Sequence, residues 1–588
     1  MADPVDPAAY LTMDRKKKNL FTYTLIAIGL LPLLHWMYGH LNQDAWWDEL
    51  ISLKDYALVG FGTTVTAYPE PGNHILFNLF DNLISRIIGV RDFYEMLDHI
   101  WKLRLAQGIF ALGTCIYTLL TVRRFFGEKY AALAVVFLAS CIPFLNFSLQ
   151  LRGYNMSMFF VAMVIYHCWT FLETRKPSSL ILTGIASFLL LYTVPSNVYF
   201  LFGLALVTLL DWWRNYRADG KVAEDASSKK EKRKKTKSPG LFSYPHIYVL
   251  TAIGIGTVAC FGAYQPVMDA LTDNRFVSKS PGDRYAVLNS VFPKVVAALF
   301  SNRWLLLVPV LGSIFFRIIK MKTGPERGKL GSVLILFLLP FVFLFIHDKA
   351  PFQRTFVHLA PVFAILLAGS TAIFLDALNI KESYKKMIVS VLALYCMGNY
   401  FYENREVNAH LDKNLQRNKR EQNIYHAFFL ADNFRPHHAV KEFLTLNDTN
   451  AAILLLDELD RVSYLYYLEK YDLVSYAMIK VQPRNVEAQG RTFSHVGMYQ
   501  RSNGKGEKVS FQQIPANLSE KNRKYNSYML LVNIVEQMER GRDLYLFTGF
   551  PRKAEKAMDM FFEGRYRAVR LNDEGFANLY RLERVGGN

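Results

Sequence analysis

The chain is poor in cysteine, in charge and in recognisable nucleotide or metal signatures. Five cysteines in 588 residues exclude a disulfide scaffold. Charged residues make up only 20 %, while 52 % are apolar and 14 % aromatic, so there is ample material to bury and disorder is excluded. No GxxxxGK[ST], HExxH or CxxC pair occurs, which weakens the case for an ATP-driven pump or a zinc hydrolase. Acid is scarcer than base, 50 residues against 68, leaving a formal charge of +18. Such a surplus fits a nucleic-acid binder, or a membrane protein with its basic residues on one side. Their positions decide between the two.

Long apolar runs are abundant. A helix needs about 20 mainly apolar residues to cross a bilayer. Candidate spans fall at 20–39, 103–122, 130–147, 155–174, 178–194, 197–213, 246–266, 303–320, 330–346, 355–375 and 386–402, eleven in all. Lys16 to Lys18 precede the first run, but no small-residue cleavage site follows, so it reads as a span rather than a signal peptide. With the N-terminus taken as cytoplasmic, the inside segments hold 27 Lys and Arg and the outside segments 10, in accord with the positive-inside rule. An odd number of spans then puts everything after about residue 403 outside the cytoplasm. Cys115, Cys141, Cys168, Cys260 and Cys396 all lie within spans, so no disulfide is expected in the outside regions.

Four further segments stand out. Residues 41–100 form a long first outside loop whose short apolar runs, such as Ile75 to Phe80, suit helices lying at the interface. Residues 214–239 form a basic cytoplasmic loop containing Lys229, Lys230, Lys232, Arg233, Lys234 and Lys235, suited to anionic lipid headgroups. A second outside loop covers 268–302. Residues 403–588 have soluble composition, with 28 basic and 24 acidic residues. Apolar runs at 452–456 and 544–547 predict buried strands, each followed by a helical pattern, near 458–469 and 552–563. Tyr566 to Val585 predicts a hairpin turning at 572–575. Together these imply an extracytoplasmic α/β domain. No internal repeat is present.

The residues that could carry chemistry gather on the outside face. Trp46-Trp47-Asp48-Glu49-Leu50 follows the first span directly. Tryptophan belongs at membrane level, and a crowded, low-dielectric site raises a carboxylate's proton affinity, fitting it to act as a general base toward an acceptor hydroxyl. A solvated acidic pair on an interfacial helix is the plainer alternative. The same loop runs on through Tyr68-Pro69-Glu70-Pro71-Gly72-Asn73-His74, where two prolines and a glycine set a turn presenting Asn73 and His74. His74 could equally be a helix cap or a structural histidine. Two more clusters follow, Gln150-Leu151-Arg152-Gly153-Tyr154 and His347 to Arg354, with His358 one turn on. Arginine at a membrane boundary is often a snorkelling anchor. It also binds phosphate through a planar fork of donors. Arg152, Lys349 and Arg354 are the basic exceptions in the short outside turns, and together could hold an anionic headgroup.

An acidic pair directly after span one, in the first extracytoplasmic loop, resembles the GT-C glycosyltransferase superfamily, which includes protein O-mannosyltransferases and the aminoarabinose transferase acting on lipid A. The architecture is similar along most of 1–402; the motif match is chiefly Trp47-Asp48-Glu49, with Asn73-His74 and the Arg354 region as softer support. The resemblance implies a GT-C-like polytopic α-helical membrane domain over 1–402, with the soluble domain over 403–588. It implies a sugar donor linked to a polyprenyl phosphate and an acceptor protein, lipid or glycan, with membrane lipids around it and no nucleic acid. Asp48 would be the base. Glu49 would support it or orient the loop. Arg152 and Arg354 would stabilise charge on the leaving phosphate, with Tyr68, Asn73, His74, Tyr154, Lys349 and His358 as further substrate contacts. A divalent metal could take the phosphate role instead, but no ligand set in the sequence demands one. If the acceptor is itself a phosphate, Asp48 would only position it. The implied setting is the bacterial inner membrane, N-terminus cytoplasmic and C-terminal domain periplasmic.

Three rivals compete. A transporter or lipid flippase needs polar groups at the bilayer midplane, whereas here they gather at one face. A non-catalytic scaffold would leave Asp48, Glu49 and the outer basic residues without a shared task. A ligase moving a whole lipid-linked oligosaccharide stays open within the enzyme class. The charge, finally, sorts itself: residues 403–588 carry +4 and residues 1–402 carry +14, of which 214–239 supplies +6. The surplus is mostly a topology signal, and the nucleic-acid reading loses its support.

Overall fold

The computed structural model describes residues 7–68, 73–228, 244–272, 283–319, 325–347, 353–415, 436–448, 451–455, 458–471, 475–481, 486–488, 491–493, 496–500, 541, 543–548, 566–572 and 578–585. Every one of the eleven apolar runs falls on helix. Among the described residues, seven helices are long and apolar enough to cross a membrane, and counting two bent pairs as one span each makes nine. The chain is therefore a multi-span helical membrane protein. The difference from eleven lies in particular elements. Pro177–Thr193 has 17 residues. Glu382–Leu415 carries Lys, Glu, Asp and Arg at both ends of its apolar middle and does not meet the apolar criterion. It also runs straight through the expected domain boundary at 402/403. Helix Val198–Ser228 likewise extends into the basic loop; Lys229 to Lys235 lie outside the described residues.

Gln353–Ala377 is wholly enclosed by other helices and Tyr154–Thr174 nearly so, so these two form the centre of the bundle. The bent pairs flank it. Glu128–Ala139 and Ile142–Ser148 meet at 69°, and Arg284–Phe300 and Trp304–Phe316 at 100°. A broken helix at membrane depth exposes carbonyls that lipid cannot satisfy. Arg303, fully buried, answers both breaks at once: Nε donates to Phe300 O (2.8 Å), Nη2 to Leu299 O (2.9 Å), and Nη1 to Phe137 O (2.8 Å) and Ser140 Oγ (2.7 Å). Ser301 Oγ accepts from Ile142 N at 3.0 Å, closing the second link. Ser301 and Asn302 turn the chain with φ of 48° and 57°. The cation needs no carboxylate, because it sits at the negative ends of two helices.

The C-terminal region forms a six-stranded sheet of order β2-β5-β1-β6-β8-β7 and a small hairpin. The strands are β1 Ala452–Leu455, β2 Ser475–Val481, β3 Val486–Ala488, β4 Arg491–Phe493, β5 Val496–Gln500, β6 Leu544–Thr548, β7 Tyr566–Arg570 and β8 Asn578–Arg584. The two expected apolar strands, β1 and β6, are adjacent, parallel and fully buried, with Ile453 opposite Tyr545. The expected hairpin is the antiparallel pair β7–β8, with Ala568 opposite Leu582. The other pairings are antiparallel, so the sheet is mixed rather than a succession of strand–helix units. Helix Glu458–Lys470 follows β1 as the pattern predicted; the 552–563 helix lies outside the described residues.

Arg303→Met would remove the side-chain donor from the carbonyls of Phe137, Leu299 and Phe300, of which Phe300 keeps the backbone N of residue 303, and an orphaned group costs about 1–3 kcal/mol. A lower thermal midpoint in detergent is expected, partly restored by Arg303→Lys; equal midpoints in all three proteins would refute this role.

Candidate active site

The site is built on a buried ion pair. The first span ends at His40, and the chain turns through Leu41–Ala45 into the short helix Trp47–Ile51. Arg104, one turn into helix Ile100–Phe126, sits under that turn. Its guanidinium donates to the carbonyls of His40 (3.1 Å), Leu41 (3.4 Å), Gln43 and Asp44 (3.3 Å). It also pairs with Glu49, Nη2 to Oε2 at 3.0 Å, with both side chains fully buried. Glu49 takes two further donors, Trp46 N (2.8 Å) on its own Oε2 and Leu151 N (2.7 Å) on Oε1. Its carboxylate thus ties three segments together: the start of its own helix, the second span and the 150–152 turn.

Asp48 points elsewhere. Its Oδ2 meets Arg354 Nη1 at 3.1 Å. Arg152 reaches the same segment, Nη1 donating to Ser52 Oγ (2.8 Å) and to Asp48 O (3.4 Å). Arg152 is only 3 % exposed and its Nε has no hydrogen-bond partner. The expected surface turn at 148–152 is therefore an interior feature. His74 Nδ1 accepts from Gly153 N at 2.9 Å, which leaves any proton on Nε2. Its ring stands edge-on to Tyr154, centroids 5.0 Å apart. Burial holds the His74 pKa well below the usual 6.5, and the guanidiniums of Arg152 and Arg354 depress it further. Burial pushes the Tyr68 phenol up, against the pull of Arg152. Tyr154 hydrogen-bonds Arg354. Asp48, Tyr68, His74, Arg152, Tyr154 and Arg354 are thus one cluster, formed by five stretches of chain.

The remaining expected residues divide. Asn73 is a strut: Nδ2 donates to Thr64 O (3.1 Å) and Ala67 O (2.6 Å), and its Oδ1 accepts from Asn78 (2.7 Å). His358 donates through Nδ1 to Thr355 O at 2.7 Å and packs on Phe200 and Phe356; its buried Nε2 has no partner. Lys349 lies outside the described residues. Arg104 and Ser52 were missed. Arg104 had a signal: a basic residue inside an apolar run requires a buried partner. On the metal question, no group of three or more His, Cys, Asp or Glu stands together among the described residues; the charged neighbours of Asp48 are guanidiniums.

Residues 93–221 match the family model described as dolichyl-phosphate-mannose-protein mannosyltransferase. This segment begins after the acid pair and contains Arg104, Arg152 and Tyr154. Over that segment the chain is similar to this family, in keeping with the resemblance that the acid pair carries. Among solved structures, ArnT from Cupriavidus metallidurans in the apo state is similar at 10 % identity, over 96 % of this chain and 98 % of that one, with a TM-score of 0.48. The same protein bound to undecaprenyl phosphate gives 11 %, 95 %, 97 % and 0.48. AglB, the oligosaccharyltransferase from Archaeoglobus fulgidus in complex with an inhibitory peptide and a dolichol-phosphate, gives 13 %, 68 %, 59 % and 0.37. No curated protein matches the chain.

Two outcomes test this geometry. Arg104→Leu strands the Glu49 carboxylate in the interior, and breaking a buried pair costs about 3–5 kcal/mol; a large fall in thermal midpoint is expected, smaller in the Glu49→Gln/Arg104→Leu double variant. For His74, the folded state favours the neutral ring while the unfolded chain takes up a proton near pH 6.5. Its contribution to stability is therefore complete above that pH and declines as pH falls below it. Midpoints measured from pH 8 to 5 should drop less steeply in His74→Gln, and parallel curves would count against it.

Proposed function

We propose that the chain transfers a sugar from a polyprenyl-phosphate-linked donor to an acceptor at the extracytoplasmic face. One observation carries the reading: Asp48 faces Arg354, and the Arg152 guanidinium bonds Ser52 at the end of the same short helix and the Asp48 carbonyl. The family match supports a donor of the lipid-phosphate-sugar class. Transfer requires an acceptor oxygen to attack the anomeric carbon while lipid phosphate departs. Arg354 and Arg152 stabilise the charge growing on that phosphate, in a site where preorganised donors act strongly. Asp48 takes the acceptor's proton as general base. Glu49 does not react; its three donors make it the residue that holds Asp48 in place. Tyr68, His74 and Tyr154 line the cluster and shape the space beside the two arginines, with His358 next to them along the chain. A divalent metal, if it takes part, would share the phosphate role.

Arg354 serves two partners in this scheme. Without donor it pairs with Asp48; a bound phosphate offers it a stronger, bidentate partner. Donor binding would then free Asp48 for the acceptor. The orientation follows the positive-inside pattern, N-terminus cytoplasmic, with residues 1–402 as the membrane catalytic domain and 403–588 outside, in a bacterial inner membrane.

Asp48→Asn in purified protein, given a lipid-linked sugar, is expected to lower turnover by about 100-fold or more with donor KM little changed. Arg354→Gln is expected to raise donor KM as well. Unchanged turnover in folded Asp48→Asn protein would sink the assignment.

A further inference from the structure

The sheet region grips the acid-bearing segment from behind. Helix Glu458–Lys470 packs on helix Trp47–Ile51 and on the 93–96 turn. At its edges the contacts are polar. Tyr94 Oη donates to Glu469 Oε2 at 2.6 Å. Lys54 Nζ lies 4.0 Å from the same carboxylate and 3.8 Å over the Tyr466 ring. Lys470 pairs with Asp98, and the backbone N of His437 donates to Asp44 Oδ2 at 2.8 Å. At its centre is Tyr467, 2 % exposed. The Tyr467 hydroxyl lies by the Ala45 backbone, in the field of Asp44, Arg104 and Glu49.

We propose that helix Glu458–Lys470 is a positioning element of the transfer site, acting through Tyr467, which is buried where that helix packs on helix Trp47–Ile51, the element that carries Glu49 of the buried Glu49–Arg104 pair. This rests on the reading of Asp48 as the reacting acid. The physical reason is dielectric. The pair sets the course of residues 40–49 only while water is kept out, since a charge pair weakens steeply as its surroundings become aqueous. Tyr467 is one of the large buried groups of this helix, and the edge contacts hold the helix against the segment that carries the pair. Asp48 is the residue next to Glu49, so a loosened pair displaces it, and a misplacement of about 1 Å can cost about 100-fold in rate. Arg152 and Arg354, which would hold the donor phosphate, come from other elements. The signature is thus a lower kcat with unchanged donor KM.

The test uses the full-length chain, a polyprenyl-phosphate sugar as donor, and kcat, donor KM and thermal midpoint as readouts. Tyr467→Ala is expected to lower kcat by about tenfold or more with donor KM within about twofold, whereas Tyr467→Phe, which keeps the ring, stays within about threefold of the parent. A parental kcat in Tyr467→Ala, or a loss of donor affinity in step with kcat, overturns the proposal. Should Tyr467→Ala fail to fold, Glu469→Gln/Lys470→Gln loosens only the edge; a lower kcat at constant KM supports the proposal and a parental kcat overturns it. Asp48→Asn is run alongside. Its inactivity beside a fully active Tyr467→Ala removes the positioning role alone, whereas an active Asp48→Asn removes the transfer reading itself.

Discussion

The structure around the site depends on one interaction, the ion pair between Glu49 and Arg104. Both side chains are fully buried, where an unpaired charge is costly. Arg104 meets this by collecting four carbonyls of the turn after the first span, and Glu49 by collecting two backbone N–H groups. A pair so fully satisfied fixes direction as well as position. The first span, the second span and the 150–152 turn converge on it, and the neighbouring carboxylate, Asp48, is left facing the other way.

That division explains how two adjacent acids have different surroundings. Helical geometry separates consecutive side chains by about 100°, so when residue 49 enters the interior, residue 48 emerges on the adjoining face. There it meets the Arg354 guanidinium from the start of the enclosed helix Gln353–Ala377, while Arg152 of the 150–152 turn bonds Ser52 and the Asp48 carbonyl. The two turns come from sequence positions two hundred residues apart, brought together because Tyr154–Thr174 and Gln353–Ala377 form the centre of the bundle.

Much of this was legible in the sequence, for a physical reason. Membrane spans must satisfy their own backbone, so apolar runs translate directly into helices, and all eleven did. Charges at the ends of those runs are conspicuous against an apolar background, which is how Asp48, Arg152 and Arg354 came to notice. Less legible was anything that depends on packing. Arg104 was hidden inside an apolar run because its partner is supplied by another segment. The break at 140–141 reads as continuous apolar sequence, and the helix before 301–303 falls in an expected outside loop, since the arginine that joins the two breaks acts from a distance. The expected turn before Asn73 lies at 69–72, outside the described residues, and only the structure shows that the Asn73 amide is consumed by backbone carbonyls.

The pairing of Asp48 with Arg354 also bears on the order of events. On the proposed transfer, the Asp48 carboxylate and the singly charged donor phosphodiester compete for the same guanidinium, and binding of the rest of the donor supplies the energy that displaces the carboxylate. An acceptor arriving first meets an acid already engaged. An acceptor arriving after the donor meets one that has been released. On the proposed transfer, the protein's own carboxylate would hold the phosphate subsite until the donor displaces it, which would tie the readiness of the base to the presence of the sugar. The same arrangement would guard against futile chemistry, because water entering the cluster without donor would find Asp48 occupied by Arg354.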